Sequence, residues 1–186
     1  MHQDLAAQLL LIGGRSGAGK TTVAYEVSAQ LQVLGIGHCH IEGDNLDAAY
    51  PKAPDDPHGT RLTEANLAAL WRNYRAIGHR RLLYINTASV LEPQMLVRAV
   101  RAAGSDDVEV VAVELIASDE TVAARLAVRE SGSELTAHLQ RSRRMARLLA
   151  ERAPAETVRV VTDGCAVTAV AADVIHASGW AVGVVP

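Results

Sequence analysis

Residues Gly14–Thr21 read "GRSGAGKT" and fit the spacing G-x-x-x-x-G-K-[ST]. Gly14, Gly17 and Gly19 let the backbone curl, so that the N–H groups of Gly14, Arg15, Ser16, Gly17, Ala18 and Gly19 can face one anion. A helix beginning here would turn its positive N-terminal end on the same anion, with Thr22 in its first turn. Lys20 is long enough to reach β- and γ-phosphates, and the Thr21 hydroxyl can ligate Mg²⁺. The expected ligand is a nucleoside triphosphate, carried with Mg²⁺.

Further chemistry must come from elsewhere in the chain. The stretch "HIEGDNLD", His40–Asp47, offers carboxylates beside an apolar segment. Asp44 can accept the proton of an attacking hydroxyl or help hold Mg²⁺, and Asn45 and Asp47 can bind an acceptor. The same residue types also favour helix caps. "YINTAS" brings Asn86, Thr87 and Ser89 to the end of another apolar run, able to hydrogen-bond substrate or to cap the next helix. Arg72 and Arg75 flank an apolar stripe of Leu67, Leu70, Trp71, Tyr74 and Ile77. Arg125 and Arg129 lie four apart on one helical face, followed by Arg141, Arg143 and Arg144. Guanidinium groups on a closing segment would stabilise a transferring phosphoryl group and exclude water, or they pair with glutamates on an exposed helix.

The elements that position these residues alternate. Strands are expected at Leu9–Ile12, Gly37–Ile41, Arg81–Ile85, Val108–Ile116 and Val158–Val161. Helices are expected at Thr22–Leu34, Thr63–Ile77 with Thr63 as N-cap, Glu92–Ala103, Glu120–Arg129, Leu135–Ala153 and Val167–Ala177. Tyr50–Gly59, with three prolines, reads as a loop. Such alternation implies an α/β fold: a parallel sheet covered on both faces, with ligands beyond the carboxyl ends of the strands.

With 186 residues and no dividing linker, one domain is expected. A net charge of -3 gives no basic excess for nucleic acid. No stretch approaches the ~18 apolar residues of a membrane span, and the N-terminus lacks signal-peptide character, so the cytoplasm is the expected compartment. Cys39 and Cys165 read as small core residues, and the histidines show no metal spacing.

"GRSGAGKTT" followed by "IEGDN" resembles the small-molecule kinases of the P-loop superfamily. Adenylylsulfate kinases have Gly-Asp-Asn at this place and gluconate kinases Gly-Asp. The later element order is similar to shikimate kinase and chloramphenicol phosphotransferase. "LIASDETVAARLAVRESGSE" and "ALWR" resemble tunicamycin-resistance-type proteins. The resemblance implies a three-layer P-loop kinase-like fold with five mostly parallel strands in the order 2-3-1-4-5. It implies an acceptor lobe at residues 45–78, where Arg72 or Arg75 would hold an anionic acceptor, and a lid at residues 125–145. It places Arg125 near the adenine, Arg129 on the phosphates and the backbone of Gly164–Val167 in the adenine pocket. Lys20, Asp44 and Arg129 are then the expected catalytic residues, Thr21 and Asp44 the metal-side residues, and Asn86 an acceptor contact. The third strand ends without the acidic residue of many P-loop ATPases, as in adenylylsulfate and gluconate kinases. The implied activity is transfer of the γ-phosphoryl group of ATP to a hydroxyl of a small molecule, by a monomer or homodimer. The alternative is a nucleotide-binding resistance protein that sequesters a toxic small molecule such as an antibiotic.

Overall fold

A computed structural model describes residues 6–128 and 131–182. The run Ala7–Gly13 forms β1, the centre of a five-stranded sheet ordered β2-β3-β1-β4-β5. Its partners are β3 (Arg81–Ile85) on one side and β4 (Val108–Ile116) on the other; β2 (Cys39–Glu42) and β5 (Val158–Val161) lie at the edges. Every pairing is parallel, with Leu10 opposite both Leu83 and Val111. All five carboxyl ends therefore meet at one edge.

A strand buried on both faces needs apolar residues at every position rather than at alternate ones. Leu9 and Leu11 enter the core beneath α2 (Thr60–Ala76) and α3 (Pro93–Ala102). Leu10 and Ile12 enter the core beneath α1 (Lys20–Val33), α4 (Asp119–Ala127) and α6 (Val167–Ser178). A long helix, α5 (Gly132–Arg152), follows α4. The expected layers and strand order are those observed.

Three helix starts lie two or three residues earlier than expected. Helix α2 starts at Thr60, with Gly59 in the left-handed region before it. Asp56 accepts a hydrogen bond from the Leu62 amide at 3.0 Å, so this carboxylate serves the helix start and Thr63 is already inside the first turns. Helix α5 begins at Gly132, three residues earlier than periodicity indicates. Helix α1 begins at Lys20, because the loop passes directly into it from Gly19 (φ 99°).

The apolar stripe of α2 is narrower than its sequence suggests. Leu67 and Trp71 are fully buried, whereas Ile77 is 74% exposed and Leu70 stands at the surface. The Trp71 indole donates to Ser105 Oγ at 3.0 Å, which satisfies its buried N–H. Of the cysteines, Cys39 is buried and Cys165 exposed, which corrects the expectation that both are core residues. Burial pushes the Cys39 thiol up to about 12, leaving it inert. Among the described residues no helix is long and apolar enough to cross a membrane.

Candidate nucleotide and acceptor site

The loop between β1 and α1 opens onto a cavity of about 490 Å³ at the carboxyl edge of the sheet. Backbone geometry here depends on missing side chains. Gly14 has φ 138°, and a Cβ on it would lie 2.6 Å from the Leu115 carbonyl oxygen of β4. The loop can therefore lie against β4 only with glycine at this position. The Gly14 amide donates to the Thr87 carbonyl at 3.2 Å, tying the loop to the end of β3.

Ser16, Gly17, Ala18, Gly19, Lys20, Thr21 and Thr22 all line this cavity. Lys20 Nζ donates to the carbonyls of Gly14 (2.8 Å) and Arg15 (3.3 Å), which holds the ammonium across the mouth of the loop. Burial lowers its pKa, opposed by the negative charges of Asp44 and Glu42. The Thr21 hydroxyl donates to Glu42 Oε1 at 3.1 Å.

Glu42 is the acidic residue that sequence reasoning missed. It is the last residue of β2 and lines the same cavity, so the strand-end rule itself was the available signal. Thr21 and Glu42 offer hard oxygen donors of the kind Mg²⁺ takes, in a place where nucleotide phosphates would complete its shell. Among the described residues no group of three His, Cys, Asp or Glu forms a protein-only metal cage. For Glu42→Gln, the Mg²⁺ concentration giving half-maximal ATP-dependent activity should rise about tenfold or more, as measured by metal titration at saturating ATP.

Asp44 lies in a single 3₁₀ turn, Gly43–Asn45, directly after β2. Asn86, the first residue beyond β3, donates from Nδ2 to Asp44 Oδ1 at 2.6 Å. Asn86 Oδ1 accepts from the Ala88 amide at 2.9 Å, which fixes the side-chain amide with its NH₂ toward Asp44. Both residues line the cavity with Lys20. The Gly43 position also carries a steric requirement: a Cβ there would lie 2.2 Å from the Tyr84 hydroxyl and 2.5 Å from its Cζ. Gly43→Ala should therefore cost about 1–3 kcal/mol in a denaturant melt. It should also displace Asp44.

The remaining expected site residues divide. Arg125 lines the cavity and donates to the carbonyls of Gly17 (3.1 Å) and Ala18 (3.2 Å) and to Thr162 Oγ1 (3.1 Å). It thus braces the loop against the end of β5. Val167 lines the cavity with Thr162, Cys165 and Val170, whereas Gly164 turns the backbone at φ 66° and is not among the lining residues. Asp163 accepts from the Ser118 amide at 3.0 Å and from its hydroxyl at 2.7 Å, joining this turn to the start of α4.

The side chain of Arg15 leaves the cavity. It is 6% exposed, donates from Nε to Ser142 Oγ at 2.8 Å and pairs with Asp119. Ser142 in turn donates to the Ser16 carbonyl at 2.8 Å. Only the Arg15 backbone remains for an anion, while its side chain pins the loop to α4 and α5. Arg143 also pairs with Asp119, at 2.9 Å.

The expectation for Arg72 and Arg75 is corrected. Helix α2 runs away from the carboxyl edge, so its last turns lie at the opposite end of the sheet. Arg75 there neighbours Gly104, four residues before β4 begins, and Arg72 is exposed on the same part of the helix. Asn45 is exposed and lines neither this cavity nor the neighbouring one, where Asp47 is found. Arg129 lies outside the described residues.

An all-parallel 2-3-1-4-5 sheet with a glycine-rich loop after its central strand defines a P-loop protein with a kinase-like fold. The sequence matches the AAA domain family over residues 9–154, and the chain belongs to that family. No curated protein sequence matches it. The fold is similar to that of the tunicamycin resistance protein of Deinococcus radiodurans, at a TM-score of 0.61 and 20% identity over 93% of this chain and 96% of that one. It is also similar to a gluconokinase from Sinorhizobium meliloti 1021, at 0.57 and 19% over 93% and 91% of the two chains. The APS kinase of Mycobacterium tuberculosis, in complex with AMPPNP and APS, is similar at 0.54 and 19% over 92% and 97%.

Proposed function

We propose that the protein is an ATP- and Mg²⁺-dependent phosphotransferase that moves the γ-phosphoryl group of ATP to a hydroxyl of a small molecule. The observation that carries this reading is the Asp44–Asn86 pair, held at 2.6 Å on the wall of the same cavity as Lys20. A binding loop alone would need no oriented carboxylate facing its lysine.

In this reading the loop amides and Lys20 hold the β- and γ-phosphates. Asn86 fixes one oxygen of Asp44 and leaves the other to accept a proton. The acceptor oxygen attacks the γ-phosphorus while its proton passes to Asp44. The bond from the γ-phosphorus to the β–γ bridging oxygen breaks, and ADP carries away the electron pair. Mg²⁺, held beside Thr21 and Glu42, would neutralise charge on the phosphate oxygens. Arg125 would orient the base and keep the loop in shape. The segment 125–145, with Arg129, is the proposed lid, and residues 45–78 the proposed acceptor lobe.

The test is acceptor-dependent ADP release with Mg²⁺·ATP, paired with phosphorus NMR of the product and with Lys20→Ala as the blank. A phosphorylated product formed only with active protein supports the reading. Tight ligand retention without ADP release across the acceptor panel would leave sequestration as the function instead.

A further inference from the structure

A second cavity, of about 300 Å³, opens beside the first between α2, α3 and the end of β3. Asn86 lines both, so the second cavity lies where an acceptor would meet Asp44. Its size is at the lower end for small-molecule sites and suits a monosaccharide-sized guest. Its polar wall includes Asp47, His58, Thr63, Tyr84, Ser89 and Glu92, with no lysine or arginine among the lining residues.

Two features point to a ligand. Tyr84 is 2% exposed, lines this cavity, and its hydroxyl has no hydrogen-bond partner among the described residues. That hydroxyl can donate to a guest seated in the cavity. Burial, followed by the fields of Asp44, Glu92 and Asp47, pushes the phenol well above its usual range, so it stays a donor. The second feature is charge. Lys52 partly neutralises Asp47 at 2.6 Å, but no ion pair engages Glu92 among the described residues. The other nearby cations are engaged at the surface, Arg61 with Asp55 and Arg98 with Glu64, and Arg72 and Arg75 stand at the far end of α2. A carboxylate, sulfate or phosphate guest would enter against negative charge with only the imidazole of His58, among the lining residues, to meet it.

We propose that the acceptor is a polyhydroxylated small molecule carrying a protonated amine, with the amine on Glu92 and Asp47 and a hydroxyl on Tyr84. This rests on the phosphotransferase reading for its placement of the acceptor, and it excludes the anionic acceptors expected from sequence.

The test is calorimetry on the full chain saturated with Mg²⁺·AMPPNP, titrating glucosamine, 2-deoxystreptamine, glucose, gluconate and shikimate. At least one amine should bind about tenfold or more tightly than glucose, and the two acids should give no uptake. Glu92→Gln should erase most of the amine preference and leave glucose unchanged. Tyr84→Phe, which keeps the ring and hence the fold, should weaken acceptor uptake about two- to tenfold while AMPPNP binding stays the same. Gluconate or shikimate binding as tightly as the amines overturns the proposal. So does failure of both amines to bind, or amine binding indifferent to Glu92→Gln. Amine uptake without phosphorylated product when ATP replaces AMPPNP would remove the phosphotransferase reading and leave the amine as a ligand of this cavity rather than an acceptor. Phosphorylation of gluconate would keep that reading and overturn this proposal.

Discussion

Lys20→Met is expected to lower phosphoryl transfer by about 10²–10³-fold, with little change in folding stability. The ammonium sits across the mouth of the loop on the carbonyls of Gly14 and Arg15, inside the cavity where the γ-phosphate would lie. Charge placed there in advance, away from bulk water, acts most strongly on the charge that develops in transfer. Burial already lowers the lysine pKa, so the folded state gains little from this cation. Methionine keeps the length of the chain and removes only the charge. A steady-state assay paired with a thermal melt separates the two effects: activity should collapse while the melting temperature holds. Retained activity in a well-folded variant would remove Lys20 from the mechanism.

Asp44→Asn should reduce kcat by about 10²–10⁴-fold, with ATP binding unchanged. The substitution is close to isosteric, and an asparagine oxygen can still accept the hydrogen bond that Asn86 donates to Asp44 Oδ1. Geometry is kept and basicity is lost. Since Asp44 is exposed, its charge contributes little to folding, and a loss of activity cannot be ascribed to unfolding. The same variant separates transfer from sequestration. If binding of a toxic small molecule, or protection against it, persists undiminished while no transfer is measurable in the parent protein, Asp44 is not a base.

The glycine-rich loop and its place in the fold were legible in the sequence because their requirements are local. Eight consecutive residues carry the loop, and the preceding run Leu9–Ile12 and the following helix fix where it points. Asp44 was legible by its place after a strand. Glu42 directly follows the strand expected at Gly37–Ile41 and was as legible by position as Asp44, although in the fold it is the last residue of β2. The proposed acceptor cavity was legible only in part, at Asp47, Asn86 and Ser89, because it is built across elements. Tyr84 comes from β3, Asp47 from the loop after β2 and Glu92 from the start of α3. No spacing relates them.

The arginines misled for a similar reason. Arg72 and Arg75 lie in the right segment of chain, but α2 carries them to the wrong end of the sheet. Arg15 lies within the motif itself, yet its side chain is spent on Ser142 and Asp119. Whether an arginine faces phosphate or braces a loop depends on partners more than a hundred residues away. The fold, by contrast, follows from runs of apolar residues that each strand and helix carries within itself.

Titration of Mg²⁺·AMPPNP into the folded protein by calorimetry tests the central claim most directly. Saturable uptake at one site per chain is predicted at concentrations below about 1 mM, weakened at least tenfold by Lys20→Met. Folded protein that takes up neither AMPPNP nor a GTP analogue in that range, with Mg²⁺ present, would contradict it.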